Sequence, residues 1–282
     1  SLGHRDVLKG GPGAALFIWL ALPRTMAQSG AGQVQEQAMA EGKGRILALD
    51  LARTLALLGM VTFHFTYDLD LFGWVPPYTS VTGWFWYHAR LTAGSFIFLA
   101  GVSLWLSHGA GIRWPAFWRR LGKIVAASLL VTGATALAMP GTPVFYGILQ
   151  SIAVSSLFGL AFLRLPAWVT LAAAAAIFAL PYLFSHPSFG GWLVWTGLAD
   201  YRPITPDFEP FFPWAAPFLA GIATGRIFTY LGLWERLRHW PVETPLLRRL
   251  AWPGQHTLAI YLVHQPVLIG LVFAATWLSY RL

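Results

Sequence analysis

A nearly continuous apolar run occupies residues 45–70 and reads RILALDLARTLALLGMVTFHFTYDLD. A helix of about 20 mostly apolar residues spans the roughly 30 Å hydrocarbon core of a bilayer. The run is long enough for this, yet it carries ionisable side chains, namely Asp50, Arg53, His64 and Asp68. Such groups are costly at membrane depth and usually face a bundle interior or a wet cavity. The run therefore predicts a membrane-spanning helix that carries candidate functional residues.

The composition of the whole chain is typical of an integral membrane protein. The 282 residues are 56% hydrophobic and 11% charged, whereas soluble domains carry about 25% charged residues. The chain has no cysteine, which excludes disulfides, cysteine nucleophiles and thiolate metal sites. The net charge of +8 is spread over short segments between apolar runs. This distribution is typical of membrane orientation signals and argues against nucleic-acid binding.

About seven stretches are apolar and long enough to span, and they predict an all-α, polytopic helical bundle. They lie at about 46–65, 84–107, 121–139, 144–164, 167–184, 211–231 and 256–278. Lys and Arg concentrate in alternate connecting segments, which predicts a cytoplasmic N-terminus and outward-facing loops at 66–83 and 185–210. We expect residues 46–282 to form one transmembrane domain.

Residues 1–45 differ in composition from the rest. Ala14–Leu22 is apolar but too short to span, and Gln28–Lys43 is polar and rich in small residues. We expect a disordered cytoplasmic extension. Two alternatives are a signal-like leader and translated sequence upstream of a start at Met26 or Met39.

The polar residues of the first predicted helix share one face. At 100° per residue, Asp50, His64 and Asp68 fall within about 40° of one another, and Arg53 lies about 60° from Asp50. We expect Asp50 and Arg53 to form a structural ion pair at the cytoplasmic end. His64 is a candidate functional residue, because several polar groups share its face.

The second predicted helix carries His88 about one turn inside the outer interface. Thr92 and Ser95 share its face. From the residues alone, a functional histidine and an interfacial aromatic-belt histidine are equally supported. Arg90 points elsewhere, and we expect it to snorkel or to pair with an acidic residue such as Asp68 or Asp70.

The remaining polar residues give weaker signals. Gln150 lies in the fourth stretch, and His264 and Gln265 precede Pro266 in the last one. This proline frees a backbone carbonyl that a neighbour must satisfy. We expect the loop carboxylates after residue 199 to be solvated. The histidines have no HExxH or His-x-His spacing, so the sequence predicts no metal site.

Several short motifs together resemble the catalytic domain of the heparan-α-glucosaminide N-acetyltransferase family. They are the opening run, WYHA at 86–89, FIFLAGVS at 96–103, YGILQSIA at 146–153 and IYLVHQP at 260–266. The resemblance covers most of residues 45–270. The family includes many short bacterial membrane proteins of unknown substrate.

The resemblance implies transfer of an acetyl group from acetyl-CoA on one side of a membrane to an amine or hydroxyl acceptor on the other. His88 occupies the place of the family's essential histidine, which implies a catalytic base, and His64 would be its acceptor-side partner. Direct transfer is favoured over a covalent acetyl-histidine relay. The candidate substrate-binding residues are Asp68, Arg90, Gln150 and His264.

The sequence thus predicts an acetyl-CoA-dependent acyltransferase of the bacterial inner membrane that needs no metal. Its expected partners are membrane lipid and an extracytoplasmic amino sugar or envelope glycan, and a homo-oligomer is also considered. The alternatives are a secondary transporter with a His/Asp relay and a structural membrane protein. No inverted repeat is visible in the sequence, which argues against a transporter.

Overall fold

The computed structural model describes residues 45–239 and 244–281. The expected N-terminal extension lies, apart from Arg45, outside the described residues. Residues 46–282 form one compact unit, and its described part is all-helical, as the sequence predicts. The helices are α1 Leu47–Leu71, α2 Gly83–His108, α3 Trp114–Ala138, α4 Ile148–Gly159, α5 Ala167–Leu183, α6 Phe211–Tyr230, α7 Leu233–Arg238, α8 Pro245–Gln255 and α9 Thr257–Ser279.

Four helices are long and apolar enough to cross a membrane, and they identify an integral membrane protein. They are α1, α2, α3 and α9. Each of the predicted stretches contains a helix, but the expected count of about seven spans is not confirmed. The helical stretch 148–164 and α5 are shorter, and the apolar run of α6 is diluted by prolines and by Arg226.

Prolines set several helix boundaries. Pro115 lies in the first turn of α3, where the missing amide hydrogen costs nothing. Pro140 and Pro143 separate α3 from α4, and Pro166 immediately precedes α5. These positions follow from the fixed φ angle of proline and its missing donor.

The α2 and α6 helices pack closely through two glycines. Gly101 lies against the backbone carbonyl of Phe218, and Gly221 lies against that of Phe98. A side chain at either glycine would collide with the facing backbone. Small residues allow membrane helices to approach in this way. The contact anchors the core around Ile97, Leu104, Phe218, Leu219 and Ile222.

The α1 helix is held between α2, α8 and α9. The Gly254 amide of α8 donates a hydrogen bond of 2.9 Å to Thr54 Oγ1. The α1 helix also continues past its predicted end near residue 65 as far as Leu71. Asp68 therefore lies within the helix and packs against α9.

Candidate functional site

A cavity of about 1070 Å³ lies beside the C-terminal half of α1, between α2 and the loop that joins α5 to α6. We call it the carboxylate cavity. Its acidic, basic and histidine side chains are His64, Asp70, Arg90, Asp200, Arg202, Asp207 and Glu209. Aromatic side chains form much of the rest of the lining, including Phe63, Tyr67, Tyr78, Trp86, Tyr182, Tyr201 and Trp214.

A second cavity of about 450 Å³ lies near the start of α1 and is strongly basic. We call it the basic pocket. Its lining includes four cationic side chains, which are Arg53, Arg119, Arg120 and Lys123. Within the described parts of the chain, no carboxylate lines it.

The two cavities share a wall. Phe96, Ile148 and Tyr261 line both of them. The cavities lie beside opposite ends of α1, since Arg53 lines one and Asp70 lines the other. The basic pocket and the carboxylate cavity therefore lie on opposite sides of one layer of side chains.

Arg53 is fixed at the basic pocket by two hydrogen bonds. Its Nη1 lies 2.7 Å from Asp50 Oδ1, and its Nη2 donates to Ser103 Oγ at 2.8 Å. Asp50 is 1% exposed. The bond to Ser103 joins α1 to α2. The two bonds together hold the guanidinium of Arg53 in place.

The two histidines that the sequence singles out do not face each other. His64 lines the carboxylate cavity, and its ring contacts that of His264 with centroids 4.8 Å apart. His88 lies at the contact between α1 and α2, with Nε2 3.4 Å from Thr62 Oγ1. His88 is not among the residues that line either cavity. The histidine ring that contacts His64 is therefore that of His264.

Asp68 and His264 lie behind His64 and do not line the carboxylate cavity. Asp68 is 0% exposed, and its Oδ1 accepts a 2.8 Å hydrogen bond from Gln265 Nε2. His264 Nδ1 lies 2.6 Å from the Tyr261 carbonyl. These contacts join α1 to α9 and support the wall of the cavity at His64.

Gln150 makes two hydrogen bonds at the start of α4. Its Oε1 accepts from the Gly147 amide at 3.1 Å, and its Nε2 donates to Thr132 Oγ1 at 3.1 Å. It lines neither cavity.

Arg90 lines the carboxylate cavity and stacks on Trp86, 3.5 Å from the ring centroid. The expected pairing with Asp68 or Asp70 does not form. Asp68 is bonded to Gln265, and Asp70 accepts hydrogen bonds from Ser80.

The segment 205–210 is docked firmly on the segment that leads into α4. Thr205 Oγ1 donates to the Pro143 carbonyl at 2.9 Å, and the Glu209 amide donates to the Tyr146 carbonyl at 3.1 Å. Asp207 Oδ2 accepts from the Ile148 amide at 3.0 Å. Gly147 makes this possible, because a side chain there would overlap the Asp207 carboxylate.

Burial changes the properties of two loop carboxyls that the sequence predicts to be solvated. Burial and the neighbouring Asp207 raise the pKa of Glu209 well above its usual value, and Arg202 and Arg90 oppose the shift. Burial likewise raises the pKa of Asp207, opposed by the Ile148 amide and Arg202. Glu209 Oε2 is buried without a hydrogen-bond partner among the described residues. The expectation of solvation is therefore wrong for these two.

The sequence does contain a signal for these carboxyls. Asp207 and Glu209 alternate with Phe208 and are followed by PFFP at 210–213. The phenylalanines indicate that this loop segment packs against the protein, because large apolar side chains are most often buried.

The described residues, 45–239 and 244–281, contain no group of three or more His, Cys, Asp or Glu residues that could hold a metal ion. Apart from its tyrosines, the acid–base groups that line the carboxylate cavity are carboxyls, arginines and one histidine.

The apolar helices and the two cavities define a polytopic membrane protein with two cavities that share one wall. Residues 45–266 match the family model for heparan-alpha-glucosaminide N-acetyltransferase, catalytic. The chain therefore belongs to this family, as its motifs indicate, and membership suggests a membrane acetyltransferase. No curated protein and no solved structure gives a significant match to the chain.

Proposed function

We propose that the protein transfers an acetyl group from acetyl-CoA in the basic pocket to an acceptor in the carboxylate cavity. The observation that carries the proposal is the wall of Phe96, Ile148 and Tyr261, at which the two cavities meet. Acyl transfer needs a donor carbonyl and an acceptor nucleophile within about 3–3.5 Å. Two spaces that share one layer of side chains suit this requirement.

The basic pocket suits the phosphate groups of a CoA thioester. Arginine and lysine bind phosphate through charge-assisted hydrogen bonds, and Arg53 is already oriented by Asp50 and Ser103. Apolar side chains such as Leu99 and Leu258 also line the pocket and suit the less polar arm of the donor. When bound, the thioester would supply the activated acyl group.

The carboxylate cavity suits an amino sugar or an envelope glycan. Its volume of about 1070 Å³ lies slightly above the roughly 300–1,000 Å³ of ordinary ligand pockets. Aromatic faces such as those of Trp86 and Trp214 offer flat apolar surface for a sugar ring. The carboxyls and Arg90 offer hydrogen-bond partners for its hydroxyl and amino groups.

Of the two histidines, His64 is the better placed to contact the acceptor, because it lines the carboxylate cavity. A catalytic role of His88, which the family resemblance implies, would require the acceptor to reach the contact between α1 and α2. We therefore assign His64 to acceptor binding, and the kinetics of His64→Ala and His88→Ala separate the two roles.

The proposed setting is a bacterial inner membrane with the N-terminus in the cytoplasm. In this orientation the basic pocket faces the cytoplasm, where acyl-CoA is made, and the carboxylate cavity faces outward. The positive charges between the apolar stretches support the orientation.

The test uses the full chain in lipid vesicles with labelled acetyl-CoA and glucosamine as the probe acceptor. We expect labelled N-acetyl product, and we expect Arg119→Gln combined with Lys123→Gln to raise KM for acetyl-CoA. Arg236→Gln is the control, because Arg236 is an exposed residue of α7 outside both cavities. Absence of product from glucosamine and from an envelope extract would contradict the proposal.

A further inference from the structure

We infer that Glu209 is the general base of the transfer reaction and takes the proton from the acceptor nitrogen. The inference rests on the proposed function, since it names the residue that activates the acceptor in the carboxylate cavity. It assigns to a loop carboxyl the role that the sequence motifs give to a histidine.

The backbone places the Glu209 side chain at the cavity. Its amide is bonded to the Tyr146 carbonyl, and the preceding residue, Phe208, is 5% exposed. The Phe208 carbonyl accepts from Arg202 Nη2 at 3.0 Å. A general base must be held within hydrogen-bond reach of its substrate, and a segment fixed on both sides of Phe208 meets this need.

The carboxyl of Glu209 has an oxygen free to accept a proton. Glu209 lines the carboxylate cavity, and its Oε2 has no hydrogen-bond partner among residues 45–239 and 244–281. Asp207 differs, because its Oδ2 is bonded to the Ile148 amide at the start of α4. Of the two neighbouring carboxyls, one is bonded to the start of a helix, and the other has a buried oxygen at the cavity that the described residues leave unpaired.

The segment that carries Glu209 is bonded to the wall. Asp207 Oδ2 accepts a hydrogen bond from the amide of Ile148, and Ile148 lines both cavities. The donor carbonyl must reach the acceptor through this wall. A carboxyl on this segment is therefore on the side of the cavity where the nucleophile has to be activated.

The charged groups around Glu209 come from several elements. Asp207 and Arg202 lie on the same loop, Arg90 lies on α2 and Tyr261 on α9, and all of them line the carboxylate cavity with Glu209. Burial and Asp207 raise the pKa of Glu209, while the two arginines limit the rise. A carboxyl with a raised pKa is a stronger base than a solvated one and is better matched to a reaction near neutral pH.

A primary amine acceptor carries an extra proton as an ammonium group near neutral pH, and the Glu209 carboxylate takes this proton before attack. The neutral nitrogen then forms a C–N bond to the thioester carbonyl carbon and gives up a second proton. The C–S bond breaks, its electron pair leaves with the CoA sulfur, and the second proton ends on that sulfur as the free thiol. Glu209 releases its own proton to water.

The test compares two acceptors in the full-length Glu209→Gln variant. Glucosamine is the first probe, and the second is O-methylhydroxylamine, a weakly basic amine that is unprotonated at neutral pH. We expect kcat with glucosamine to fall by roughly 10²–10⁴-fold, the usual contribution of a general base. We expect a much smaller loss with the second probe, because it needs no deprotonation before attack.

The pH profile gives a second readout. The wild-type rate should fall as the pH drops through the titration of Glu209, and this limb should be missing in Glu209→Gln. Glu235→Gln is the matched control, since Glu235 lies on α7 and pairs with Arg238 away from both cavities. Its rate and pH profile should equal those of the wild type.

The outcomes separate the two proposals. A wild-type protein that acetylates neither probe contradicts the proposed function. An active wild type with an equally active Glu209→Gln variant overturns the inference alone. Equal loss with both probes also overturns it, because a residue needed only for folding or acceptor binding would affect both. Retained binding of acetyl-CoA by the variant shows that it is folded.

Discussion

His64 and His264 contact each other edge to face across the α1–α9 interface, with ring centroids 4.8 Å apart. Of the two, only His64 lines the carboxylate cavity. His264 is held from behind by the Tyr261 carbonyl. The histidine at the end of the first apolar run is therefore positioned by the last helix, and the second helix takes no part in this contact.

The first prediction separates the two histidines. We expect His64→Ala to lower kcat/KM for glucosamine by at least about tenfold, or roughly 1.4 kcal/mol, because it removes a cavity-lining group. His88→Ala should have a smaller effect, since His88 contacts Thr62 outside the cavity. Steady-state kinetics of both variants provide the measurement. The opposite ranking would support His88 as the catalytic histidine.

The second prediction concerns the buried hydrogen bond between Gln265 and Asp68. Gln265→Ala removes the donor to Asp68 Oδ1, and a buried polar group without its partner costs about 1–3 kcal/mol. We expect a lower Tm in detergent. We also expect a lower activity, because His64 lies at the same α1–α9 interface. Gln255→Ala, at an exposed position at the end of α8, is the control. An unchanged Tm for Gln265→Ala would contradict the prediction.

The third prediction is that Glu209→Gln stabilises the protein while it removes activity. The folded state raises the pKa of Glu209, so burial favours the protonated form. The stability linked to this group is complete below its ordinary pKa and is lost as the pH rises through the raised value. Glutamine does not ionise, and the variant should gain stability over the wild type as the pH increases, by about 1–3 kcal/mol.

Thermal unfolding at pH 5 and pH 8 measures this effect. The difference in Tm between Glu209→Gln and the wild type should be larger at pH 8. Glu235→Gln should show no such trend, because Glu235 is exposed. A variant that is destabilised at both pH values would show that Glu209 is stabilising as a carboxylate, contrary to its buried setting. A gain in stability with a loss of rate is typical of active-site groups.

The sequence predicts the helices well and the site in part. Apolar runs bounded by prolines such as Pro140 and Pro166 determine helix positions locally, so these follow from composition and spacing. The contact of His64 with His264 joins residues about 200 positions apart, as does that of Asp68 with Gln265. Such contacts depend on how helices pack, which a single sequence does not reveal.

The burial of Glu209 is only weakly indicated by the sequence, for a related reason. A carboxyl in a loop is solvated unless the loop is packed, and the packing here comes from the bonds of segment 205–210 to Pro143, Tyr146 and Ile148. Only the apolar neighbours of Glu209 hint at it. The basic pocket combines Arg53 of α1 with basic residues of α3. Its positive charge can be read from the sequence, but the wall that it shares with the carboxylate cavity depends on how the helices pack.

The fourth prediction concerns Tyr261 as part of the wall between the cavities. Tyr261→Ala should open a path between them and let water reach the thioester, since exclusion of water prevents hydrolysis of activated groups. We expect acetyl-CoA hydrolysis without acceptor to rise roughly tenfold, measured as release of free thiol. Tyr261→Phe keeps the ring and should keep hydrolysis low. Tyr280→Ala, which removes an exposed tyrosine beyond the end of α9, is the control. If both Tyr261→Phe and Tyr261→Ala hydrolyse acetyl-CoA faster than the wild type, the hydroxyl and not the bulk of the ring protects the donor. If neither variant does so, the wall lies elsewhere.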